Sequence, residues 1–355
     1  MKWLSDVVDL LKFLILYFIS FFRKSFLSAF FFIISCILIN HHVKAFDFYS
    51  NYGIHLLNPY EIDEAIKLLK VSYYDKYHFV TIPISLSELN KNDEWQSFCH
   101  KAYFNQIIPI FRLTTKFENG NWQIPNRKEI ISLLDFIKNL NCKHDGIYII
   151  VFNEVNHAKE WGGKIDPISY AEILKFTYNW AKTETDINFL ILPAGFDLAA
   201  DGRNNTMEAF NYLEQMYAYD SEIFYYFDYW NSHSYPNPGF VSDPLRKAKN
   251  SLSGFKYELD YLQGKTKQEI KVFITETGWM LNSKTKKVLT GYYQQAHNLI
   301  WSDERIVAIT PFLLKGSPGI FNAFSFLDIK NQPTLHYQSY RKIIELESKE
   351  FNSEN

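Results

Sequence analysis

The feature that most constrains the fold of this chain is a repeated alternation of short, β-rich apolar runs with longer segments of helical spacing. Eight such runs follow residue 46, and their starts recur at intervals of 27 to 46 residues. An interval of this length accommodates one strand and one helix with their loops. The predicted strands are residues 52–56, 79–84, 107–112, 147–152, 188–192, 225–231, 271–275 and 306–313.

The segments between these runs carry apolar residues at the i, i+3, i+4 spacing of an amphipathic helix. Residues 61–69 and 128–140 show it, and residues 337–346 can form the last helix. Strands that read as continuously apolar are typical of a parallel sheet covered by helices on both faces. Eight such units in about 310 residues fit a closed (β/α)₈ TIM barrel better than an open doubly wound sheet. We therefore predict one α/β domain over residues 46–355.

The first 45 residues have a different character, because they contain two apolar runs at 10–22 and 26–39. Each run is shorter than the roughly 20 residues that a spanning helix needs. The second run follows Arg23 and Lys24 and precedes a small-residue site at 43–45, as in a signal peptide. Positive charges before this run predict a cytoplasmic N-terminus and an exported domain.

Segment 1–45 is thus predicted to be a cleaved signal or an uncleaved membrane anchor, and the domain to be extracytoplasmic, either secreted or anchored. A lipid on Cys36 and a buried helix of a soluble domain are the alternatives. The chain has 3 cysteines, too few for a disulfide framework. Cys99 and Cys142 could pair in an oxidising compartment, but we expect two unpaired, buried thiols.

Charge balance and missing motifs argue against several classes of function. Lys plus Arg number 37 and Asp plus Glu number 39, so a net charge of −2 gives no electrostatic reason to expect a nucleic-acid partner. The sequence contains no CxxC, HExxH or EF-hand pattern, and no Walker A or GxGxxG pattern. We therefore expect neither a metal nor a cofactor.

Two glutamates stand at the ends of predicted buried strands. Glu154 lies in the sequence IYIIVFNEVN after the fourth strand, and Glu276 lies in VFITETGW after the seventh. The carboxyl ends of barrel strands face the mouth where such folds hold their chemistry. Two carboxylates at one mouth fit the general acid and the nucleophile of a glycosidase, one protonated and one ionised.

Other side chains near strand ends fit supporting roles. Asn153 is placed to hydrogen-bond a sugar hydroxyl beside the reacting carbon. His233 and Tyr235 follow the sixth strand, where either could donate to the nucleophile. Trp279, just beyond Glu276, could stack on an apolar sugar face.

Five further residues are weaker candidates. His55 ends the first strand and is predicted either to bind sugar or to be structural. Asn156 and Trp161 lie on the loop after the fourth strand, where Trp161 could form a sugar platform. Asp197 follows the fifth strand as a subsite residue or a helix cap. Trp122 is expected to be ordinary packing.

Together these motifs resemble the clan A glycoside hydrolases, retaining enzymes on a TIM barrel. In that family an Asn-Glu pair ends strand four and a Glu ends strand seven. The resemblance covers residues 47–346 and is carried by Asn153-Glu154, Glu276 and the His233/Tyr235 pair. It implies that Glu154 is the acid/base and Glu276 the nucleophile. It also implies that the substrate is an oligosaccharide or polysaccharide cleaved at β-glycosidic bonds without a cofactor.

The chain departs from the family pattern at several positions. Thr81 falls where many members have an Arg that supports the nucleophile, and Arg112, at the end of strand three, is expected to supply the charge instead. Val155 replaces the usual Pro after Asn-Glu. Near the end of strand eight, where an aromatic is frequent, the chain has Phe312 and a polar Lys315.

Two other functions remain as alternatives. The first is a catalytically weak or inactive barrel that binds cell-surface glycan, which the absence of an Arg at Thr81 motivates. The second is an unrelated barrel enzyme such as an aldolase or a metal hydrolase. That enzyme would need a Schiff-base lysine or a His/Asp cluster at strand ends, and Lys315 is the one such lysine in the sequence.

Overall fold

Eight consecutive strand–helix units make up the domain. A computed structural model of the chain describes residues 49–71, 76–142 and 144–354, and the predicted signal or anchor segment 1–45 lies outside these residues. The strands are β1 Ile54–His55, β2 His78–Ser85, β3 Ile107–Thr114, β4 Ile147–Val151, β5 Phe189–Pro193, β6 Trp230–His233, β7 Val272–Glu276 and β8 Ile306–Ile309. Among the described residues, no helix combines the length and apolar character needed to cross a membrane.

The eight strands are parallel to one another and form a ring. Strands β1 to β5 pair in chain order, and β6 to β8 form a second parallel set. Tyr52 forms a parallel bridge with Ile309, so the first unit meets the last, and the Gly53 amide donates to the Ile309 carbonyl at 2.8 Å. On the other side, Asp197 forms a parallel bridge with His233. These contacts join the two sets into a barrel.

A helix follows each strand. The helices are α1 Ile62–Leu69, α2 Asn92–Phe104, α3 Arg127–Asn139, α4 Pro167–Ala181, α5 Ala209–Tyr219, α6 Gly254–Thr266, α7 Leu289–Leu299 and α8 Leu335–Glu354. A short hairpin of Phe117–Glu118 and Asn121–Trp122 is inserted between β3 and α3.

Local sequence explains where these helices begin and which face they bury. The Asn126 side chain accepts hydrogen bonds from backbone amides in the first turn of α3, and the Glu129 carboxylate accepts one from the Asn126 amide. This reciprocal pair is a capping box. The buried stripe of α3 is Ile130, Leu133, Leu134 and Ile137. Each such side chain contributes about 1.5–3 kcal/mol when fully buried. Packing of this stripe against the barrel therefore holds α3 in place.

The barrel interior is filled below the mouth. Phe79, Tyr148 and Phe273 meet with ring centroids 5.3 to 5.6 Å apart. Thr81 is fully buried and its hydroxyl lies 2.7 Å from that of Thr310. These contacts fill the interior beneath the carboxyl ends of the strands.

The register of β2 and β3 corrects the position assigned to Thr81. Thr81 pairs with Ile110, whereas Pro83 is the residue opposite Arg112. Thr81 is thus two residues below the level of Arg112, or about 6.6 Å at the strand rise. A side chain at Thr81 would point into the packed interior and not into the mouth.

Two predicted strands differ most from the structure, while the others agree within about two residues at each end. The sixth was predicted at 225–231, but β6 is Trp230–His233, and Ile223–Tyr225 forms a 3₁₀ turn. Of the aromatic residues before β6, Tyr226 contacts Tyr178 of α4 with ring centroids 5.9 Å apart, whereas Tyr229 packs on Phe273 of the barrel interior at 5.2 Å. The eighth was predicted at 306–313, but β8 ends at Ile309, shortly before Pro311, which has no amide to continue a ladder.

The expectation of two unpaired thiols is wrong, since Cys99 and Cys142 form a disulfide with their Cα atoms 4.7 Å apart. Sequence could not show that α2 and the segment after α3 lie side by side. The Gln96 side chain fixes this arrangement, because it donates to the Asn139 carbonyl at 2.9 Å and accepts from the Asn141 amide at 3.0 Å.

Candidate active site

A cleft of about 750 Å³ opens at the carboxyl ends of the strands. Both predicted catalytic glutamates face it, one from the end of β7 and one just after β4. Three of the predicted supporting residues also line it, namely Asn153, Tyr235 and Arg112. The cleft is therefore where the sequence motifs meet.

Glu276 is held at the bottom of the cleft, with 7% of its surface exposed. Arg112 Nη1 donates to its Oε1 at 2.7 Å, and the Tyr235 hydroxyl donates to its Oε2 at 3.1 Å. Burial tends to raise the pKa of Glu276, but the charges of His233 and Arg112 outweigh it, so the pKa lies below its ordinary value. These donors keep Glu276 ionised.

His233 lies between the two carboxylates. Its Nδ1 donates to Glu154 Oε1 at 3.0 Å and lies 3.7 Å from Glu276 Oε2. Burial lowers the pKa of His233, but Glu276 and Glu154 raise it by more, and the net pKa is above its ordinary value. Gly195 leaves space for this ring, because a Cβ there would lie 2.2 Å from His233 Cδ2.

Glu154 is more accessible, with 24% of its side chain exposed. Its backbone has φ +33°, which is uncommon for a residue other than glycine. The turn is held by the Glu154 amide, which donates to the Gly195 carbonyl at 3.0 Å, and by the His157 amide, which donates to the Glu154 carbonyl at 2.8 Å. Glu154 therefore leaves the strand direction at the mouth of the cleft.

The two carboxylates lie close together. One oxygen of Glu154, one oxygen of Glu276 and a ring nitrogen of His233 all lie within 4.8 Å of one another. Among the described residues this is the one set with spacing that could hold a metal ion. Arg112 already occupies Glu276 Oε1, so a positive charge is present without an ion. The arrangement is suited to placing a reacting atom between two carboxylates.

Arg112 connects the ends of three strands. Besides Glu276, its Nη1 contacts the side-chain oxygen of Asn153 at 2.8 Å. Arg112 thus lies beside Glu276, where the sequence predicted that it would supply the positive charge that an arginine on strand two supplies in the family. The Asn153 oxygen is engaged by this contact, so its amide nitrogen is the group available to a ligand.

Two aromatic predictions are wrong. Trp279 is fully buried, donates from Nε1 to the Ser242 carbonyl at 2.9 Å and packs on Tyr293 with a centroid distance of 5.1 Å. Gly278, at φ +130°, precedes it where the chain leaves the mouth. Trp161 is also fully buried and lies 5.7 Å from the Phe152 ring. Neither can stack on a sugar, because neither ring reaches the cleft.

His55 and Asn156 also lie beneath the cleft surface, so of the two roles predicted for them, contact with sugar or support of the site, the structure favours support. His55 is fully buried; its Nδ1 lies 3.2 Å from the Thr275 carbonyl, and burial with the Arg112 charge lowers its pKa to about 3. Asn156 is fully buried and donates to the Asp197 carbonyl at 3.0 Å. The first supports the floor of the cleft, and the second joins the loops after β4 and β5.

One wall of the cleft is polar and includes residues that the sequence motifs did not assign. His157 Nε2 lies 2.8 Å from Asp197 Oδ2, and this bond outweighs burial and raises the pKa of His157. Glu160 lines the same wall. Trp122, expected to be packing, reaches the cleft from the inserted hairpin. His157 and Glu160 lie on the loop after β4, so a search for polar residues directly at strand ends does not find them.

The opposite wall is aromatic. Phe240 follows β6, while Phe312, Phe321 and Phe324 follow β8. Phe312 meets Phe321 at 5.0 Å, and Phe240 meets Phe324 at 5.4 Å. Phe312 is the aromatic residue that the sequence offered near the end of strand eight. Lys315, the alternative Schiff-base lysine, does not line the cleft.

Known proteins match this chain in structure but not in sequence. No protein-family model matches the sequence, and no curated protein does. An exo-β-1,4-mannosidase from Opitutaceae bacterium strain TAV5 matches with a TM-score of 0.53 and 13% identity, over 85% of this chain and 60% of that chain. An endo-1,4-β-mannanase from Rhizomucor miehei matches with a TM-score of 0.52 and 11% identity, over 85% and 95%.

An endoglucanase from Pseudomonas stutzeri, solved with cellobiose, matches with a TM-score of 0.52 and 9% identity, over 84% of this chain and 95% of that chain. Identities this low establish the fold alone. The chain thus has the TIM-barrel fold of these glycoside hydrolases, and the fold that the sequence motifs implied is confirmed.

Proposed function

We propose that this chain is a retaining glycoside hydrolase that cleaves β-glycosidic bonds. The observation that carries the proposal is the pair of carboxylates at the ends of β4 and β7, with oxygens within 4.8 Å. Retaining enzymes hold the two carboxyl groups about 5–5.5 Å apart, whereas inverting enzymes leave about 6.5–9.5 Å for a water. The short separation supports direct attack by one carboxylate.

In the first step Glu276 attacks the anomeric carbon, and the bond from that carbon to the departing oxygen breaks. Glu154 gives its proton to the departing oxygen, so the leaving group departs neutral. Glu276 fits the nucleophile because Arg112 and His233 keep it ionised in a buried place. The product of this step is a glycosyl ester on Glu276 and an ionised Glu154.

In the second step Glu154 takes a proton from water, and the water oxygen attacks the anomeric carbon. The bond to Glu276 breaks, which restores the carboxylate and leaves Glu154 protonated. Two displacements at one carbon retain its configuration. Asn153 supports both steps, since its amide nitrogen is placed to donate to the sugar hydroxyl beside that carbon as charge develops.

The two walls of the cleft support a sugar polymer as substrate. Phenyl rings on one wall can stack on apolar sugar faces, and the polar wall offers hydrogen-bond partners for hydroxyl groups. The matched structures belong to enzymes named for β-1,4-mannan and glucan substrates. We therefore propose a β-linked mannan or glucan chain, as oligosaccharide or polysaccharide.

The proposal also places the domain outside the cytoplasm, as a secreted or membrane-anchored enzyme. The basic and apolar pattern of segment 1–45 is one support. The second is the Cys99–Cys142 disulfide, because disulfides persist mainly in oxidising compartments. Labelling intact cells that express the full chain with a membrane-impermeant reagent tests it, and a domain protected from the reagent would contradict it.

The test of function is hydrolysis of a panel of β-mannans and β-glucans by the wild type and by Glu276→Gln. We expect activity on at least one polymer, release of the β-anomer, and loss of turnover in the variant. Activity unchanged by the substitution would end the assignment. The alternative of an inactive glycan-binding barrel was motivated by the absence of an arginine at Thr81. Arg112 supplies a cation to Glu276 instead, which removes that motivation.

A further inference from the structure

The polar wall of the cleft carries an ion pair to which the reaction described above gives no role. His157 Nε2 lies 2.8 Å from Asp197 Oδ2, and both side chains line the cleft, with 30% and 27% of their surfaces exposed. Burial tends to raise the pKa of Asp197, but the bonds from His157 and from the Ala199 amide lower it by more. The same bond to Asp197 raises the pKa of His157. Each partner thus favours the charged form of the other.

This pair keeps hydrogen-bonding capacity for a ligand. Asp197 Oδ1 accepts from the Ala199 amide at 2.8 Å and Oδ2 accepts from His157, and each carboxylate oxygen can accept a second bond. A charged imidazole has two N–H donors, and Asp197 uses only the one at Nε2. Within the part of the chain that the structure describes, His157 Nδ1 has no hydrogen-bond partner. Because sugar hydroxyls both donate and accept, a donor and an acceptor side by side can bind two neighbouring hydroxyls.

Asn156 fixes the two loops that carry the pair. Its side-chain oxygen accepts from the Asp197 amide at 3.1 Å, and its side-chain nitrogen donates to the carbonyls of Asp197 at 3.0 Å and Met207 at 2.9 Å. The helix cap predicted as the alternative role of Asp197 is not formed, because Glu208 is the residue that caps α5. The loop after β5 is therefore held against the loop after β4, which sets the position of Asp197 beside His157.

The pair lies on the side of the cleft that holds the proposed acid/base. The His157 amide donates to the Glu154 carbonyl at 2.8 Å, and Asp197 forms a parallel bridge with His233, whose Nδ1 contacts Glu154 at 3.0 Å. Glu154 gives its proton to the departing oxygen, so the sugar that leaves with this oxygen must lie beside Glu154. The phenyl rings that follow β6 and β8 form the opposite wall.

We propose that His157 and Asp197 form the subsite for the leaving-group sugar and bind two neighbouring hydroxyls of it. The inference rests on the proposed glycosidase function and gives the substrate a direction in the cleft. The sugar that is transferred to Glu276 lies toward the phenyl rings, and the sugar that departs lies against the charged pair. Because one partner is a cation and the other an anion, the pair has no net charge and suits a neutral sugar.

Substrates with and without a leaving-group sugar test the proposal. The β-cellobiosyl and β-mannobiosyl fluorides release fluoride as the ester to Glu276 forms, whereas the corresponding tetrasaccharides release a sugar. We expect Asp197→Asn to lower the ratio of kcat/KM for tetrasaccharide to kcat/KM for fluoride by about tenfold, as for one weakened hydrogen bond to a charged group. His157→Gln should lower the same ratio. A ratio that stays at the wild-type value in either variant would overturn the proposal, since general damage to the site affects both substrates.

Asp201→Asn is the matched control, because it makes the same change on the same loop after β5. Asp201 is exposed, receives a bond from Arg203 Nε at 2.8 Å and does not line the cleft, so the ratio should stay at the wild-type value. A wild type that turns over neither substrate would remove the glycosidase function and the subsite with it. A wild type that cleaves both substrates, with the ratio unchanged in Asp197→Asn, would remove the subsite alone.

A crystal structure of Glu276→Gln with a bound tetrasaccharide gives a readout that does not depend on rates. We expect the reducing-end sugars beside His157 and Asp197, with hydroxyls within hydrogen-bond distance of both side chains. The non-reducing sugars should lie against Phe312 and Phe321. A tetrasaccharide bound in the reverse direction, or a leaving-group sugar that contacts neither His157 nor Asp197, would overturn the proposal.

Discussion

The carboxyl ends of β4 and β7 present the same side chain in opposite settings. At β7, Glu276 is buried and receives donors from β3 and from the loop after β6. Just after β4, Glu154 has 24% of its side chain exposed, sits on a backbone with positive φ, and accepts from His233. The difference teaches that surroundings, and not residue type, divide the two roles: the ionised carboxylate is enclosed by cations, and the proton carrier faces the cleft.

The largest expected effect comes from the β7 end. Glu276→Gln removes the nucleophile while keeping its size, and turnover should fall by at least about 10⁴-fold, as for other enzymes that lose a nucleophile. Initial rates on the best polymer measure this. Glu172→Gln on α4 serves as a control that should retain full activity, and a loss of less than tenfold in Glu276→Gln would place the nucleophile elsewhere.

The β4 end should respond differently, and the leaving group reveals it. Glu154→Gln should lower the rate by about 10²–10⁴-fold on a natural glycan, because the departing oxygen needs a proton. On an aryl glycoside with an acidic phenol the first step needs little protonation, so the loss there should be much smaller. Equal losses on both substrates would show that Glu154 is not the acid.

Removing the arginine that contacts Glu276 at the β7 end should make the two settings more alike. Arg112→Met should cost about 10- to 100-fold in kcat/KM, the worth of a hydrogen bond to a charged group. The charges of His233 and Arg112 together hold the pKa of Glu276 down, so loss of Arg112 raises that pKa and moves the acidic limb of the pH profile to higher pH. An acidic limb that stays where it is in Arg112→Met would show that Arg112 does not set the charge state.

The smallest effect should come from the neutral donor at the same end. Tyr235→Phe removes one hydroxyl bond to Glu276 at 3.1 Å and keeps the ring that packs on Phe240 at 5.0 Å. A loss of about three- to tenfold in kcat is expected. Kinetics beside Arg112→Met rank the two donors, and a larger effect in Tyr235→Phe would reverse the order assigned here.

Sequence was sufficient for features that depend on local pattern. Apolar runs predicted eight strands and located seven of them closely, the sixth being placed several residues too early, and the position of Glu154 and Glu276 after two of these runs brought both to one mouth. Features that depend on the path of the chain between elements could not be predicted. Trp279 follows a strand end as Glu276 does, but the turn at Gly278 sends its ring into the core.

The same reason explains the other differences. Glu160 reaches the cleft because a 3₁₀ turn follows Glu154, and the spacing of apolar residues in the sequence does not predict such a turn. Cys99 and Cys142 pair because the segments that carry them pack side by side, and that contact is tertiary. The local sequence pattern thus predicted the strands and helices of the barrel, while the conformation of the loops determined which side chains line the cleft.

The most direct test of the account is to trap the covalent intermediate. Incubating the protein with an activated 2-deoxy-2-fluoro-β-glycoside slows the second step more than the first, so the sugar should accumulate as an ester on the enzyme. Peptide mass spectrometry should locate that sugar on Glu276, with one label per chain. A label on another residue, or β-glycan cleavage that proceeds with inversion and leaves no label, would contradict the central claim that the enclosed carboxylate of β7 is the nucleophile.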